Sequence, residues 1–325
     1  MQIGIDVGYS YTKAVTPERR LLTPSVVAPY RELALADLAQ SGVGHSVEIR
    51  KADGEFNKYF VGNLALREGQ AVSLSMDREK HRHPNHDILI LTSARLLGAG
   101  VGSSLGVGLP VAYYRAQREE TRQHLLDLHA VVSVDKGNPA RISFGDVLVY
   151  PQGAGALLTA PDLPGSGYVL LVDVGYKTTD YIVVEVKGGV ARPVSSLCGS
   201  VETGVYNVHA AIAADYQERT GAPLAVVRIP EIIKDNGKIH HYGREIDIGG
   251  SIAKVATNTA ANIADQVKAQ LGDRAAFIRI TYLAGGGVNA LPMLSTMFTA
   301  AKILPESQWA NAFGFLQIVA RSKAL

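Results

Sequence analysis

Two short stretches hold the residues with the most chemistry to offer. The chain opens "IGIDVGYSYTKAV" (Ile3 to Val15) and later repeats the theme as "LLVDVGYKTTDYIVV" (Leu170 to Val184). Each is an apolar run ending in Asp-Val-Gly-Tyr, followed by small polar residues and a second apolar run. A glycine at the tip of such a hairpin lets backbone N–H groups approach an anion closely. Gly8, Tyr9 and Ser10 offer one set of amides, with Lys13 a nearby cation, and Gly175, Tyr176, Lys177 and Thr178 offer a second. The aspartates before each turn, Asp6 and Asp173, would repel a phosphate. A bridging Mg2+, held partly through its own water shell, removes that conflict. A single Asp-Val-Gly is an ordinary turn signal; two copies in the same setting point to a pair of jaws for Mg2+ and the phosphates of a nucleotide.

A third stretch, "YLAGGGVNALPM" (Tyr282 to Met293), ends a strand in Gly285, Gly286 and Gly287. Glycines there admit a flat ring or a ribose, and a helix N-terminus beyond them favours anions. A strand-glycine-helix junction also describes a dinucleotide-binding turn, but Ala290 replaces the third glycine of that fingerprint. A G-x-x-x-x-G-K-[ST] phosphate loop is absent from the sequence.

The elements that must position these residues read as follows. Ile3–Ile5 and Tyr11–Val15 are strands around a Gly-Tyr-Ser turn, with a third strand at Leu21-Leu22. Val47–Lys51 and Glu55–Val61 flank Asp53-Gly54, a hairpin signal. A helix is expected over Asp87–Leu97, a buried strand over Val101–Leu109 and a helix over Tyr114–His129. Short strands follow at Ala130–Val134 and Arg141–Phe144, then a small-residue helix over Gln152–Leu158. "TAPDLPGSG" (Thr159 to Gly167) reads as the boundary between lobes. Beyond it come strands at Tyr168–Val172, Asp180–Val186 and Val190–Ser195, then helices over Val205–Arg219 and Ile252–Leu271. Phe277–Leu283 is a strand, "VNALPML" begins a helix and Trp309–Ala320 closes the chain. Each half thus starts with a β-meander, and a duplicated α/β architecture is the simplest one that uses the hairpin twice.

Length and composition agree. At 325 residues, with 47% hydrophobic and 19% charged residues, two lobes with ordinary cores are expected. A net charge of +2 argues against direct nucleic-acid binding. One cysteine, Cys198, fits a reducing cytoplasm, and no signal peptide or membrane-spanning run is apparent.

Together, "IDVGYSYTK", "VDVGYKTTD" and "LAGGGVNAL" resemble, in that order, the phosphate and adenosine motifs of the actin/Hsp70/sugar-kinase superfamily. "KYFVGNLAL" (Lys58 to Leu66), "GLPVAYY" (Gly108 to Tyr114), "LCGSVETGVYNVHAAI" (Leu197 to Ile212) and "ANAFGF" (Ala310 to Phe315) are similar to bacterial and archaeal actin-like ATPases of the ParM/StbA type. The resemblance covers essentially the whole chain. It implies a two-lobed α/β fold of duplicated ribonuclease-H-like domains around a nucleotide cleft. Domain I would span 1–158 and 305–325, with a small subdomain at about 30–90, and domain II would span 159–304. It further implies ATP, or GTP, with Mg2+ positioned through water by Asp6 and Asp173. Gly8, Tyr9, Ser10, Tyr11 and Lys13, with Gly175, Tyr176, Lys177 and Thr178, would contact the phosphates. Gly285, Gly286, Gly287 and Asn289 would flank the adenosine. Glu202 is either a ribose-side or base-side contact or a carboxylate favoured by a helix N-terminus.

One departure concerns hydrolysis. ParM-like proteins carry a glutamate in a Pro-Glu-like segment after a first-lobe strand, whereas "VYPQGAGALL" places Gln152 there. Glutamine is no base, but it orients water by donating and accepting hydrogen bonds; the alternative is a polar residue that merely caps a helix. The implied activity is an ATPase that polymerises into cytoplasmic filaments, hydrolyses slowly and serves plasmid segregation through a DNA-binding adaptor. The alternatives are a chromosomal cytoskeletal filament, a sugar or acyl kinase, or a non-polymerising nucleotide-binding module of the same superfamily.

Other signals carry less. "HRHPNHD" gathers His81, His83, His86 and Asp87 without diagnostic metal spacing. His240-His241 reads as solvated, and Ser251 and Thr257–Thr259 lack a paired His and Asp. Cys198 reads as packed rather than reactive.

Overall fold

The computed structural model describes residues 1–33, 44–52, 54–70, 73–74 and 82–322, so Asp53 and His81 lie outside the described residues. The chain divides into two compact units, Met1–Thr159 with Trp309–Leu325, and Ala160–Gln308.

In the first unit the strands are β1 (Gln2–Val7), β2 (Tyr11–Val15), β3 (Arg20–Pro24), β4 (Val26–Pro29), β5 (His45–Lys51), β6 (Phe56–Val61), β7 (Ser73–Leu74), β8 (Ser103–Leu109), β9 (His129–Val134) and β10 (Ala140–Pro151). Their order in the sheet is β3-β2-β1-β8-β10-β9-β5-β6-β4-β7. The meander β1-β2-β3 is antiparallel, while β1, β8 and β10 run parallel. Ile3, Ile5, Leu105 and Val147 are sealed from solvent, as an apolar parallel sheet requires. Helices α1 (Asn63–Glu68), α2 (Pro84–Leu97), α3 (Val111–Asp127) and α4 (Ala154–Leu157) complete this part of the chain.

The second unit repeats the plan. Its strands β11 (Ser166–Val174), β12 (Thr179–Lys187), β13 (Val190–Pro193), β14 (Gly199–Val201), β15 (Lys238–His241), β16 (Arg244–Asp247), β17 (Ile278–Ala284) and β18 (Ala301–Ile303) include the series β13-β12-β11-β17-β18, with β14 beside β12. Again three antiparallel strands are followed by two parallel ones. Helices α5 (Val205–Thr220), α6 (Ile229–Lys234), α7 (Gly249–Leu271) and α8 (Leu294–Met297) belong here, and the closing helix α9 (Ala310–Ser322) returns to the first unit. It packs on a bed of glycines: a Cβ at Gly4 would lie 2.1 Å from Ala312 O, and one at Gly106 would lie 2.6 Å from Phe315 O. Burying Phe315 and Val319 there stabilises the docked helix by about 1.5–3 kcal/mol each.

The departures from the sequence reading have local causes. Strand β10 continues past Phe144 to Pro151, because a register shift between Phe144 and Asp146 interrupts its apolar pattern. Its first half pairs β9 and its second half pairs β8. Helix α3 starts at Val111, directly after Pro110, rather than at Tyr114. The hairpin β15-β16 turns at Tyr242-Gly243, both at positive φ, where the sequence has no Asn-Gly or Asp-Gly signal. "VNALPML" forms no long helix: a 3-10 turn at Gly286–Val288 is followed only by the short α8. No helix among the described residues is long and apolar enough to cross a membrane.

Candidate functional site

In the first unit, β1 and β2 pair Asp6 with Lys13, and the Gly8 N–H donates to Tyr11 O at 3.1 Å to close the turn. Asp6 is buried, at 4% exposure. Its two carboxylate oxygens are held separately: Lys13 Nζ donates to Oδ2 at 3.1 Å and Gln152 Nε2 donates to Oδ1 at 2.8 Å. The sheet explains this convergence. The carboxyl ends of the parallel strands β1, β8 and β10 share one edge, where ligands of open α/β sheets bind, and Gln152 follows β10 directly. Its own N–H donates to Leu109 O at 2.8 Å. The loop is tied to the start of β4, since Ser10 O accepts the Ser25 N–H and the Thr12 and Ser25 hydroxyls meet at 2.9 Å. Tyr9 is buried, and Tyr11 is half-buried.

In the second unit, the Gly175 N–H donates to Thr178 O at 2.9 Å, but β11 and β12 pair Asp173 with Asp180. Both carboxyl groups are buried, and the Ser200 hydroxyl donates a hydrogen bond to Asp180 Oδ1. The loop is fastened to α5: Gly175 O accepts the Val205 N–H at 3.3 Å and Tyr176 O accepts the Tyr206 N–H at 2.7 Å. Gly204 permits this, since a Cβ there would lie 2.6 Å from Tyr176 O. The Tyr176 hydroxyl meets His209 Nδ1 at 3.2 Å. Burial, with Tyr206 adding to it, pushes the Tyr176 phenol up to about 12. Burial also lowers His209 to about 4, so the imidazole is neutral near pH 7.

The triple glycine lies beside the same hairpin, because β17 pairs Ala284 with Asp173. Gly285 has φ 86° and ψ 160°, a conformation essentially reserved for glycine. A Cβ on it would lie 2.3 Å from Val174 O and 2.5 Å from Asp173 Oδ1. At Gly287 a Cβ would lie 2.5 Å from Val174 Cγ1. These two glycines therefore admit the end of β11, a packing demand the sequence does not reveal. Asn289 is exposed just beyond the 3-10 turn, and Glu202 is exposed two residues before Gly204, the N-cap of α5.

The structure thus gathers Asp6, Gly8–Tyr11, Lys13 and Gln152 in the first unit. It gathers Asp173, Gly175–Thr178, Gly285–Gly287 and the start of α5 in the second. Sequence reasoning missed Asp180, which was findable because it follows Asp173 at the same seven-residue spacing by which Lys13 follows Asp6. His209 and Asn311 gave no signal. Three other histidines have structural partners: His83 caps α2 through the Asn85 N–H, His124 Nε2 meets Asp87 Oδ1 at 2.7 Å, and His241 Nδ1 meets the Tyr216 hydroxyl at 2.8 Å. Cys198 is half-buried, and burial raises its thiol.

The comparisons with known proteins agree with this fold. The family described as actin-like proteins, N-terminal domain, matches residues 4–155. The family described as archaeal actin homologue MreB-like, C-terminal, matches residues 171–295. No curated protein matches in sequence. Among solved structures, a 15-stranded ParM filament from Clostridium botulinum is similar with a TM-score of 0.89 and 22% identity, covering 98% of each chain. An archaeal actin homologue in complex with ADP has a TM-score of 0.80 and 19% identity, covering 99% of this chain and 100% of that one. Bacillus thuringiensis ParM with ATP has a TM-score of 0.70 and 15% identity, covering 100% of this chain and 99% of that one. These likenesses establish the fold.

Proposed function

We propose, since this chain belongs to the actin-like proteins, that it is a nucleoside triphosphatase that binds ATP with Mg2+ and polymerises into filaments of its own copies. The observation that carries the reading is the grip of Gln152 and Lys13 on the buried Asp6 at the carboxyl edge of the first sheet. Its support is the repeat of the same turn at Asp173.

The residues fit the implied ligands. Each Asp6 oxygen accepts one side-chain hydrogen bond, and a carboxylate has about four acceptor sites, which leaves capacity for a metal-bound water. Asp6 and Asp173 are the residues proposed to hold Mg2+ in this outer-shell manner; the ion would supply neutralisation of developing phosphate charge. The Gly8 and Gly175 amides close their turns, so the phosphate donors fall to the residues after them: Tyr9, Ser10 and Tyr11, and Tyr176, Lys177 and Thr178. Gly285–Gly287 and Asn289, with Glu202, are assigned to the nucleoside side.

Gln152 donates one Nε2 hydrogen to Asp6 Oδ1, which orients the amide and presents Oε1 as an acceptor. It orients water without deprotonating it, so hydrolysis is slow. The water oxygen bonds to the γ-phosphorus as the bond to the β–γ bridging oxygen breaks, ADP leaves with that oxygen, and the water's proton passes to an oxygen of the released phosphate. The similar structures, a ParM filament, an archaeal actin homologue with ADP and a ParM with ATP, support the same reading. Plasmid segregation through a DNA-bound adaptor, in the cytoplasm, is the role we assign to the filament.

The test is 90° light scattering with negative-stain microscopy after adding ATP and Mg2+. A rise in scattering and visible filaments are expected. Absence of assembly across protein and salt concentrations would rule the filament out.

A further inference from the structure

The turn that follows Gln152 has no means of capping itself. Helix α4 begins at Ala154, its N-cap is Gly153 with φ 77°, and no side chain of its own caps it. The first N–H groups of any helix need outside acceptors. In a capping box, the N-cap side chain accepts from the third residue's N–H, and that residue's side chain accepts from the N-cap N–H. Here those two positions are Gly153 and Ala156, neither of which has a side chain able to do either.

One atom from the other end of the chain does both. Asn311 Oδ1, on α9, accepts the Gly153 N–H at 2.9 Å and the Ala156 N–H at 3.2 Å. Asn311 is buried, at 6% exposure. It gets this close because α9 and α4 approach backbone to backbone: a Cβ on Gly314 would lie 1.9 Å from Gly155 O. The Phe315 ring, one turn further along α9, packs over Gly108 beside the Gln152 side chain. A Cβ on Gly108 would lie 2.1 Å from Phe315 Cζ and 3.0 Å from Gln152 Cγ.

Consecutive amides are therefore pinned by different elements. The Gln152 N–H is held by Leu109 O at the end of β8, and the Gly153 N–H is held by Asn311. With its backbone fixed on both sides, the Gln152 side chain meets Asp6 in one orientation.

We infer that Asn311 is the positioning residue for Gln152, an N-cap supplied by the closing helix that holds the water-orienting amide in register with Asp6. The inference rests on the hydrolytic role proposed above for Gln152. Asn311 acts through the turn at residues 153–156 and has no contact with the substrate in this scheme. Its removal should lower kcat and spare ATP binding, since the phosphate loops are not part of the turn.

The experiment measures steady-state ATP hydrolysis of the full chain, with KM and kcat separated, for Gln152→Ala, Asn311→Leu, Asn311→Ser, Asn311→Asp and the double variant Gln152→Ala/Asn311→Leu. Losing the shared acceptor is expected to lower kcat about 5–10-fold, with KM within about twofold. Asn311→Ser, too short to reach both amides, gives the same loss if the leucine variant fails to fold. Asn311→Asp retains an acceptor and restores kcat to within about twofold of the parent. In the Gln152→Ala background, Asn311→Leu adds no further loss, because residues acting through one another are not additive.

The outcomes separate the two readings. Unchanged turnover in Gln152→Ala overturns the role of Gln152 and this inference with it. A slow Gln152→Ala with a further, multiplicative loss from Asn311→Leu leaves Gln152 in place and overturns the inference alone. So does an aspartate variant no faster than the leucine and serine variants.

Discussion

The two hairpins close with the same turn and differ in the charge that faces the aspartate. A Cβ placed on Gly8 would lie 2.7 Å from Tyr11 O, and one on Gly175 would lie 2.8 Å from Thr178 O, so the two turns close in the same way. The residue opposite the aspartate is a cation in the first, Lys13, and a second carboxylate in the second, Asp180. Their anchors also differ: the first loop is tied to the start of β4, the second to helix α5 and His209. The turn is the same in both, while the charge at its base differs. The first hairpin has cation and carboxylate in one ion pair. The second concentrates negative charge beside the triple glycine. A divalent cation bound as proposed would gain more from the second arrangement, where it would meet two carboxyl groups and no paired cation.

The largest effect expected follows from that asymmetry. Asp173→Ala should abolish Mg2+-dependent ATP hydrolysis, a loss of about 10²-fold or more, comparable with removing a main electrostatic contact from other active sites. Phosphate release over a Mg2+ titration measures it. A variant that keeps more than a tenth of the parent rate would show that the second hairpin does not govern the metal.

Much of this arrangement was legible in the sequence, and the limits are physical. The hairpins could be read because strand pairing is local: seven residues from Asp6 to Lys13 fix the register without help from the rest of the chain. The approach of Gln152 to Asp6 could not be read, because it depends on β8 lying between β1 and β10, which only the assembled sheet decides. Strand β10 itself was half-hidden by the irregularity between Phe144 and Asp146. Gly285 and Gly287 could be read as a glycine turn but not as packing, since what they make room for, Val174 and Asp173, is more than a hundred residues away. Asn311 left no trace, because one amide in a helix has no spacing to betray it.

A smaller effect separates the anchors. His209 is neutral in the fold, lowered to about 4 by burial, whereas a histidine in the unfolded chain titrates near 6.5. As pH falls from 6.5 towards 4, the unfolded state binds a proton that the native state refuses, so this group's contribution to stability is lost over that window. From pH 7 to pH 5 the loss is about 2 kcal/mol. Its sign is opposite in the first unit. There the bond to Asp87 raises His124 against the effect of its burial, so its stabilisation is full below the unfolded value and fades as pH rises. Hydrogen-exchange protection of α5, corrected for intrinsic rates, should fall by that amount on acidification, and His209→Phe should remove the dependence. An unchanged slope in the variant would assign the acid sensitivity to another group.

The smallest effect tests the divergent position directly. Lys13 and Asp180 occupy the same register, so neutralising each should move ATP affinity in opposite directions if charge at the base of the turn acts on the phosphates. Lys13→Ala removes a cation able to reach them, and a lost charge-assisted hydrogen bond of about 1.4 kcal/mol raises KM about tenfold. Asp180→Asn keeps an acceptor for the Ser200 hydroxyl while removing a negative charge, and should lower KM by at most about threefold, because a single charge acting at a distance through a protein's effective dielectric is worth less than a direct contact. Raising the salt concentration should shrink both effects, and the Asp180 effect first, since direct contacts are screened least. If the two substitutions move KM in the same direction, the charges at these positions serve the fold of each hairpin, and the phosphates are held by the turn amides alone.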